Sequence, residues 1–438
     1  MIKKYLSSLF GSGVALILIS FTACDVTGTP PLTEEWRVTG SVGEYMESNY
    51  IFDNNNDMIV QGLKFVDGKD TFYLYKINGS GQIRWSTSST GFGVLKNDNE
   101  NNIYYIQEVY TLETQSGIKH TLTKYSPDGQ IIRENQNIDS TYSITLNDWV
   151  IDRFGNVFLM GEGASNNEIV KINPGGDVLW RQNIPESWRK LITDSTGNPY
   201  AGFIYNTTGG KHDIRIVKCD GDTGSVLWDK TCLSNVSESS FDLMTDAADN
   251  LILVRNGRAA TIDTFDPSGN QVWEYAYTPS DIGLSIDVDA GVKCDGAGNV
   301  IISAVVSVLT GSIPNGTSFP YPLGYQYCQL MMIDKNGKKT WSKKVSTILI
   351  YNGDIGGHLY LDKNNDIYVF CQDTTFTKYD KNGKKVWSFT PEITEVPSYT
   401  PGYFSEWHAD SDLNLYWIWQ GNSLDVPEYY RITKFKQQ

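Results

Sequence analysis

One short phrase recurs along this sequence and restricts the folds that it can adopt. An Asp is followed four residues later by Asn or Asp and then by apolar residues, with copies at Asp53, Asp98, Asp152, Asp194, Asp246, Asp295, Asp362 and Asp410. A second phrase, a Gly followed four residues later by Trp, has copies at Gly81, Gly176, Gly224, Gly269, Gly337 and Gly383. Repeats of this length indicate blades, solenoid coils or arrays, so they constrain architecture more than activity.

Each phrase predicts a β-hairpin. In residues 150–161 an Asp ends one apolar strand and a Gly follows three residues later. The Asp can accept hydrogen bonds from the N–H groups of a tight turn, and the Gly suits a positive φ. Asn56 and Asp249 stand at that third place in other copies and tolerate the same conformation. Because the second phrase also alternates around a Gly turn, each repeat predicts four strands.

Four-stranded repeats of about 45 to 50 residues predict the blades of a β-propeller. The chain ends complete one repeat between them, because Lys434 lies in a C-terminal third strand and Trp36 in its missing fourth strand. Each phrase then has eight copies, with Trp36 included and Arg133 in place of one Trp. We therefore predict an all-β fold, a single eight-bladed β-propeller of four-stranded antiparallel blades, closed by the N- and C-terminal strands in one blade. Seven blades is the alternative.

The recurrent Trp, Asp and Lys residues are predicted to be structural. A large ring at one place in every blade fills the wedge between neighbouring sheets. The Asp-rich turns at residues 53–57 and 362–366 suggest calcium loops, which is the alternative interpretation. They lack the Gly at the sixth position and the late Glu of the helical calcium motif. We predict no metal and no cofactor.

The N-terminus carries an export signal. Two lysines precede a short apolar stretch, residues 13–21, which is too short for a permanent membrane span. Phe21-Thr22-Ala23-Cys24 resembles a bacterial lipoprotein box, with Phe where that family usually has Leu. The resemblance implies that Cys24 is diacylated and becomes the new N-terminus. An ordinary secreted protein is the alternative.

These observations divide the chain into three parts. We predict a lipoprotein signal peptide over residues 1–23, an acylated Cys with a flexible tether over residues 24–34, and the propeller over residues 35–438. The formal charge of −15 repels nucleic-acid phosphate and anionic lipid. We therefore predict no nucleic-acid partner, attachment to the membrane through the Cys24 lipid, and a monomeric ring.

Five cysteines remain after Cys24, namely Cys219, Cys232, Cys294, Cys328 and Cys371. An odd number without metal-ligand spacing predicts buried small residues rather than a disulfide framework. Cys219 and Cys232 share a hairpin, but pairing across its turn puts Cys219 opposite Val226. The sequence leaves the disulfide state of the five open.

Binding residues are expected in the variable loops opposite the short Asp turns. Three long connections, residues 277–291, 311–326 and 396–408, carry aromatic and acidic residues. Variable loops on a rigid scaffold usually carry binding. The candidate binding face consists of Trp188, Asp287, Asp289, Phe319, Tyr321, Tyr325, Tyr399, Tyr403 and His408. The alternative is that these aromatic residues only pack their own loops.

The segment KYDKNGKKVW, residues 378–387, resembles bacterial β-propeller repeats of the PQQ-like kind. The resemblance covers nearly all of residues 34–438 and implies the propeller fold. Quinoprotein dehydrogenases of that fold carry an adjacent cysteine pair against their cofactor, and this sequence has no adjacent cysteines. A lipid-anchored eight-bladed member of the superfamily is an outer-membrane assembly scaffold, and this chain is similar to it in layout.

We therefore predict a lipid-anchored, non-catalytic β-propeller that binds a protein or glycan as a scaffold at the bacterial cell envelope. The outer membrane or the cell surface is preferred to the inner membrane. The sequence shows no nucleophile elbow, phosphate-binding loop or zinc-helix motif, so no catalytic residue is predicted. One alternative is a propeller enzyme, a glycan hydrolase or lyase or a quinoprotein-like dehydrogenase, that uses the loop face. Another is a purely structural surface protein.

Overall fold

The computed structural model describes most of the chain from Leu32 to Gln437. The described residues are 32–40, 44–66, 69–89, 91, 93–110, 118–135, 138, 144–163, 166–184, 188–206, 212–236, 240–256, 260–277, 284–287, 291–313, 321–349, 358–370, 376–389, 404–410, 412, 414–420 and 430–437. They form 33 strands in eight antiparallel sheets, seven of four strands and one of five. We number the sheets 1 to 8 along the chain.

The first four sheets each consist of consecutive strands. Sheet 1 contains β2 (Glu44–Phe52), β3 (Met58–Val66), β4 (Lys69–Ile77) and β5 (Ile83–Ser89). Sheet 2 contains β6 (Gly93–Asn97), β7 (Ile103–Tyr110), β8 (Ile118–Tyr125) and β9 (Ile131–Asn135). Sheet 3 contains β10 (Ile144–Ile151), β11 (Val157–Gly163), β12 (Asn167–Ile172) and β13 (Val178–Ile184). Sheet 4 contains β14 (Trp188–Thr193), β15 (Pro199–Asn206), β16 (His212–Cys219) and β17 (Val226–Val236).

The last four sheets follow the same plan, with two exceptions. Sheet 5 contains β18 (Ser240–Thr245), β19 (Leu251–Asn256), β20 (Ala260–Phe265) and β21 (Gln271–Tyr277). Sheet 6 contains β22 (Leu284–Asp287), β23 (Val292–Cys294), β24 (Val300–Ile313), β25 (Tyr321–Ile333) and β26 (Lys339–Leu349). Sheet 7 contains β27 (His358–Leu361), β28 (Ile367–Phe370), β29 (Phe376–Tyr379) and β30 (Lys385–Phe389). Sheet 8 contains β31 (Phe404–Ala409), β32 (Leu415–Gln420), β33 (Tyr430–Gln437) and, at its edge, β1 (Leu32–Gly40).

The Asp of the first phrase builds the turn between the first and second strands. Asp152 Oδ1 accepts hydrogen bonds from the N–H groups of Phe154 and Asn156, both at 2.9 Å. The third residue after the Asp has a positive φ, 79° at Gly155, 60° at Asn56 and 59° at Asp249. The prediction that Asn and Asp replace Gly at this place is therefore confirmed.

The core lies between sheets rather than inside one. Hydrophobic clusters join each sheet to the next, and the last cluster packs Met58 and Val60 of sheet 1 against Tyr416 and Ile432 of sheet 8. First strands of successive sheets also contact one another, as β6 with β10 and β10 with β14 do. The first strands therefore line the inside of the assembly.

The two chain ends share sheet 8, as predicted. Strand β1 pairs antiparallel with β33, and this register places Trp36 opposite Lys434. Lys434 Nζ also donates a hydrogen bond of 2.8 Å to the carbonyl of Gly79 in sheet 1. The all-β fold and the pairing of the terminal strands in one sheet are confirmed.

Sheet 6 departs from the sequence prediction. Residues 311–326 were expected to form a loop, but β24 and β25 stay paired as far as Ile313 opposite Tyr321. The expected loop at residues 277–291 contains β22, which pairs with the same long strand β24. The first strand of this sheet is thus split in two, and its outer part supports the long hairpin. We call the paired residues 284–287, 305–313, 321–328 and 346–349 the sheet 6 extension.

Candidate functional site

One row of four residues recurs in register in every sheet and contains the residues that the sequence repeats. In sheet 4 the row runs Ile192, Tyr200, Lys218 and Trp228 across the four strands. The third member is Lys76, Lys124, Lys171, Lys218, Lys378 or Lys434 in six sheets, Thr264 in sheet 5 and Met332 in sheet 6. The fourth member is Trp everywhere except at Arg133 in sheet 2. We call it the joining row.

The row Trp connects its sheet to the next. Trp180 Nε1 donates a hydrogen bond of 2.9 Å to the carbonyl of Gly221 in sheet 4. Gly224 of the same turn has a φ of 73°, and a Cβ on it would lie 2.6 Å from Trp180 Cδ2. Only glycine suits both this backbone and this contact. Arg133 replaces the Trp in sheet 2 and donates to the Gly176 carbonyl at 3.2 Å. The structural interpretation of the recurrent Trp is confirmed.

The row Lys pairs with the turn Asp of its own sheet in sheets 1, 2, 4 and 7, and it donates to a carbonyl of the next sheet in sheets 1, 3, 4 and 8. Lys218 Nζ lies 3.0 Å from Asp194 Oδ2 and donates to the Pro267 carbonyl at 3.3 Å. It also lies 4.7 Å from the centre of the Tyr200 ring, which is a cation–π contact. Burial raises the pKa of Asp194, but hydrogen bonds from Asn198, Thr196 and Lys218 outweigh it and hold that pKa below its ordinary value.

At the turns that suggested calcium, a lysine ammonium occupies the place beside the carboxylates. Lys76 Nζ lies 2.7 Å from Asp53 Oδ2 and 3.7 Å from Asp57 Oδ2. Lys378 Nζ lies 2.9 Å from Asp366 Oδ2 in the other such turn. Within the described part of the chain, no three His, Cys, Asp or Glu side chains are grouped as metal ligands. These carboxylates therefore work as ion-pair partners.

The sequence-predicted binding residues fall into two sets. The backbone is described at Trp188 in β14, Asp287 in β22, Tyr321 and Tyr325 in β25, and His408 in β31. Asp289, Phe319, Tyr399, Tyr403 and the lipidation candidate Cys24 lie outside the described residues.

The strand register brings together three of these candidates and separates two. Asp287, Tyr321 and Tyr325 all lie in the sheet 6 extension, where Asp287 pairs with Val305 and Tyr325 with Val308. Trp188 begins the first strand of sheet 4.

His408 does not belong with the loop residues. It pairs with Tyr416 in the joining row of sheet 8, two residues before Asp410, and hence next to the Asp turns. The sequence prediction included it in the candidate binding face as the last residue of the long connection 396–408. The first strand runs from the loops to the Asp turn, and His408 is near the end of that run.

Four charged residues on the first strands were not predicted. Asp148, Lys190 and Asp242 each stand four residues before an Asp turn, and Lys96 stands two residues before one. Asp148 Oδ2 accepts a hydrogen bond of 2.7 Å from the Leu191 N–H in the next sheet. Lys190 Nζ lies 2.8 Å from Asp242 Oδ1 in the sheet after that. For three of them the signal in the sequence is a charge four residues before the Asp turn.

Lys96 is the most enclosed of these charges. Its Nζ donates to the Trp149 carbonyl and lies 4.7 Å from the centre of the Trp149 ring. Burial lowers the pKa of Lys96; Asp148 opposes this shift and Lys190 adds to it. Alternating ammonium and carboxylate groups on the inner strands can hold a polar ligand. In the described structure they pair across the sheets, which makes them structural contacts as well.

The four described cysteines form no disulfide with one another. Cys219 and Cys328 are buried, and Cys232 and Cys294 are partly buried. Cys219 pairs with Val226 across its turn, as expected, and not with Cys232. Burial raises the pKa of Cys219, Cys232 and Cys294 to about 12, so these thiols are poor nucleophiles at neutral pH.

Comparison with known proteins identifies the repeats. Residues 165–347 match the family model described as "Outer membrane protein assembly factor BamB". This segment contains most of sheets 3 to 6. A search of the curated proteins found no match to the sequence.

Three solved structures share the fold. The C-terminal WD40 domain of Sif2 is 10% identical, with a TM-score of 0.53 over 93% of this chain and 99% of that one. The Dos1 propeller is 8% identical, with a TM-score of 0.52 over 92% and 95%. The quinohemoprotein alcohol dehydrogenase from Comamonas testosteroni is 12% identical, with a TM-score of 0.52 over 93% and 76%. Together with the eight sheets and the joining row, they show that this chain has a β-propeller fold, and residues 165–347 are similar to the PQQ-like repeats of the matching family.

Proposed function

We propose that this protein is a lipid-anchored, non-catalytic scaffold that binds a protein or a glycan at the bacterial cell envelope. The observation that carries the proposal is the match of residues 165–347 to a family described as an outer membrane protein assembly factor. A rigid propeller with variable loops suits an assembly role, because its loops can present several contacts to a partner in a fixed arrangement.

The contacts of the repeated residues support a scaffold. The conspicuous Asp and Lys side chains pair within or between sheets, as in the ion pair between Lys218 and Asp194. The Trp side chains are packed beneath the next turn, as Trp180 is beneath Gly224. Because these groups hold the framework, the binding role falls to the connections between repeats. The sheet 6 extension, with Asp287, Tyr321 and Tyr325, is the part of that face whose backbone is described.

We propose further that the eight sheets are eight blades of one closed ring. The cluster that packs Met58 against Tyr416 supports closure, because it joins the first sheet to the last. A hydrogen bond of 2.8 Å from Asn56 Nδ2 to Asp412 Oδ2 joins the Asp turns of the same two sheets. A closed ring presents its loops as one fixed surface, which favours recognition of a large partner.

Membrane attachment is proposed to rest on Cys24. Among the described residues, no helix is long and apolar enough to cross a membrane. Two acyl chains on one Cys anchor a protein stably, whereas a single chain binds only marginally. Cys24→Ala should leave unlipidated precursor that no longer partitions with detergent after phase separation. Unchanged partitioning would contradict the anchor.

Purification from crosslinked, solubilised membranes tests the scaffold. We expect the full-length protein to recover a stoichiometric envelope partner, and a variant with residues 314–320 replaced by a two-residue turn to lose it. The control variant keeps residues 314–320 and replaces Asn55, an exposed residue of an Asp turn, by serine. Recovery of no partner, or equal recovery by both variants, argues against this proposal. Hydrolysis of a cell-envelope glycan by the purified protein would support the enzyme alternative.

A further inference from the structure

Sheet 5 is an exception in the joining row, because it lacks the lysine. In sheets 1, 3 and 4 one carbonyl of the next sheet accepts hydrogen bonds from both the row Trp and the row Lys. These carbonyls belong to Pro127, Gly221 and Pro267. The corresponding carbonyl for sheet 5 is that of Lys335, which accepts from Trp273 Nε1 at 3.0 Å. Thr264 stands in the lysine's place, so it supplies no ammonium to this carbonyl.

Sheet 5 keeps the turn carboxylate that the row lysine neutralises in sheets 1, 2, 4 and 7. A Cβ added to Gly298 of sheet 6 would lie 3.6 Å from Asp246 Oδ2 of sheet 5. A Cβ added to Gly155 of sheet 3 would lie at the same distance from Asp98 Oδ2 of sheet 2. Asp246 Oδ2 therefore faces the next sheet in the same way as its equivalent in sheet 2. In the described part of the chain no basic side chain forms an ion pair with Asp246, whereas Lys124 lies 3.7 Å from Asp98 Oδ2.

Thr264 provides a third oxygen at this interface. Its side chain is 2% exposed, and its Oγ1 has no hydrogen-bond partner among the described residues. Its neighbours in the row, Ile252 and Trp273, both pack in the cluster between sheets 5 and 6. Because cross-strand neighbours share a face of the sheet, the Thr264 side chain lies in the same interface.

We propose that this interface binds a monovalent cation of about the size of ammonium or potassium. Its ligands are Asp246 Oδ2, the Lys335 carbonyl and Thr264 Oγ1, all hard oxygen donors. The single carboxylate matches one positive charge, as the equivalent carboxylate in sheet 4 matches the singly charged ammonium of Lys218. The cation takes the role of the row ammonium, neutralising the Asp and binding the next sheet's carbonyl. This site is independent of the proposed partner binding and of the loop face.

Sheet 6 provides an internal comparison. It also has a turn carboxylate, Asp295, and no row lysine, but Met332 stands in the lysine's place. Met332 offers a thioether rather than a hydroxyl and is 6% exposed. Soft sulfur is a poor ligand for potassium or sodium. The inference is therefore confined to sheet 5.

Thermal unfolding of the full-length protein in potassium chloride and in choline chloride at equal concentration tests the site. Potassium should raise the midpoint of the native protein by about 1–3 °C over choline. Thr264→Lys supplies the ammonium of the other sheets and should abolish this difference. Asp246→Asn should abolish it too, and the matched control Asp295→Asn should retain it.

Each other result overturns the proposal. If the native protein unfolds at the same temperature in both salts, there is no stabilising potassium site. An equal effect of lithium, sodium and potassium indicates general screening by salt rather than a site of defined size. If the potassium effect persists in Thr264→Lys, its source lies elsewhere in the molecule. If Thr264→Lys does not fold, a potassium effect that persists in Asp246→Asn leads to the same conclusion.

Discussion

Replacing Gly224 by alanine tests how neighbouring sheets are joined. Gly224 has a φ of 73°, and an added Cβ would lie 2.6 Å from Trp180 Cδ2 and 2.7 Å from Trp180 Cε3. The left-handed backbone costs a residue with a Cβ about 1–2 kcal/mol. Forcing a methyl group into a packed ring costs about 1–3 kcal/mol more. We therefore expect Gly224→Ala to lower the free energy of unfolding by about 2–5 kcal/mol.

Urea unfolding, followed by tryptophan fluorescence, measures this loss. The matched control is Gly296→Ala, because a Cβ on Gly296 would meet no atom within 4 Å and its φ is not in the left-handed region. Alanine there should change the stability by less than about 1 kcal/mol and in the stabilising direction. If the two variants unfold at the same urea concentration, the contact between the turn and the Trp ring does not join the sheets.

Three further predictions concern the buried polar groups. Lys218→Met should lower the free energy of unfolding by about 3–5 kcal/mol, because it leaves the Asp194 carboxylate buried without its partner. Urea unfolding should show that adding Asp194→Asn restores part of this loss. Burial is the largest cause that raises the pKa of Tyr200 and Tyr416 above the ordinary value of 10.0. The unfolded chain therefore loses these protons at a lower pH than the folded protein, so the free energy of unfolding should fall as the pH rises above 10. A urea midpoint that stays constant above pH 10 would contradict this prediction. Cys219 should react with iodoacetamide at neutral pH only after denaturation, as mass spectrometry of labelled peptides can show, and rapid labelling of the folded protein would refute its burial.

The local structure of this protein could be predicted because its turns have a simple chemistry. An Asp that accepts two N–H groups, followed by a residue with a positive φ, is recognisable in the sequence, and it fixes the hairpins at Gly155 and Asn56. The pairing of Trp36 with Lys434 was predictable too, since each terminus carries half of one repeat.

The candidate binding face was harder to predict, because it depends on how far the strands extend beyond the repeat. Residues 321–326 contain Pro322 and Gly324, which indicate a loop, yet they form part of β25. The split first strand of sheet 6 pairs with β24 and supports the long hairpin, a long-range effect that no local pattern shows. His408 was assigned to the long connection 396–408 for a related reason, since strand β31 already begins at Phe404 and carries His408 towards the Asp turn.

The charges on the inner strands were missed because their spacing has meaning only once the register is known. Asp148 and Lys190 occupy the same place relative to their turns, but one accepts a backbone N–H and the other pairs with Asp242. Their roles depend on the neighbouring sheet, which lies a whole repeat away in the sequence.

The central claim is that the loop face, and not the repeated framework, binds an envelope partner. Photo-crosslinking in the native bacterium tests it most directly, with a benzophenone amino acid placed at Phe319 and, in a separate variant, at the exposed Asn55 of an Asp turn. We expect a crosslink to one envelope protein or glycan from position 319 and none from position 55. A crosslink from position 55 alone, or no crosslink from position 319, would contradict it.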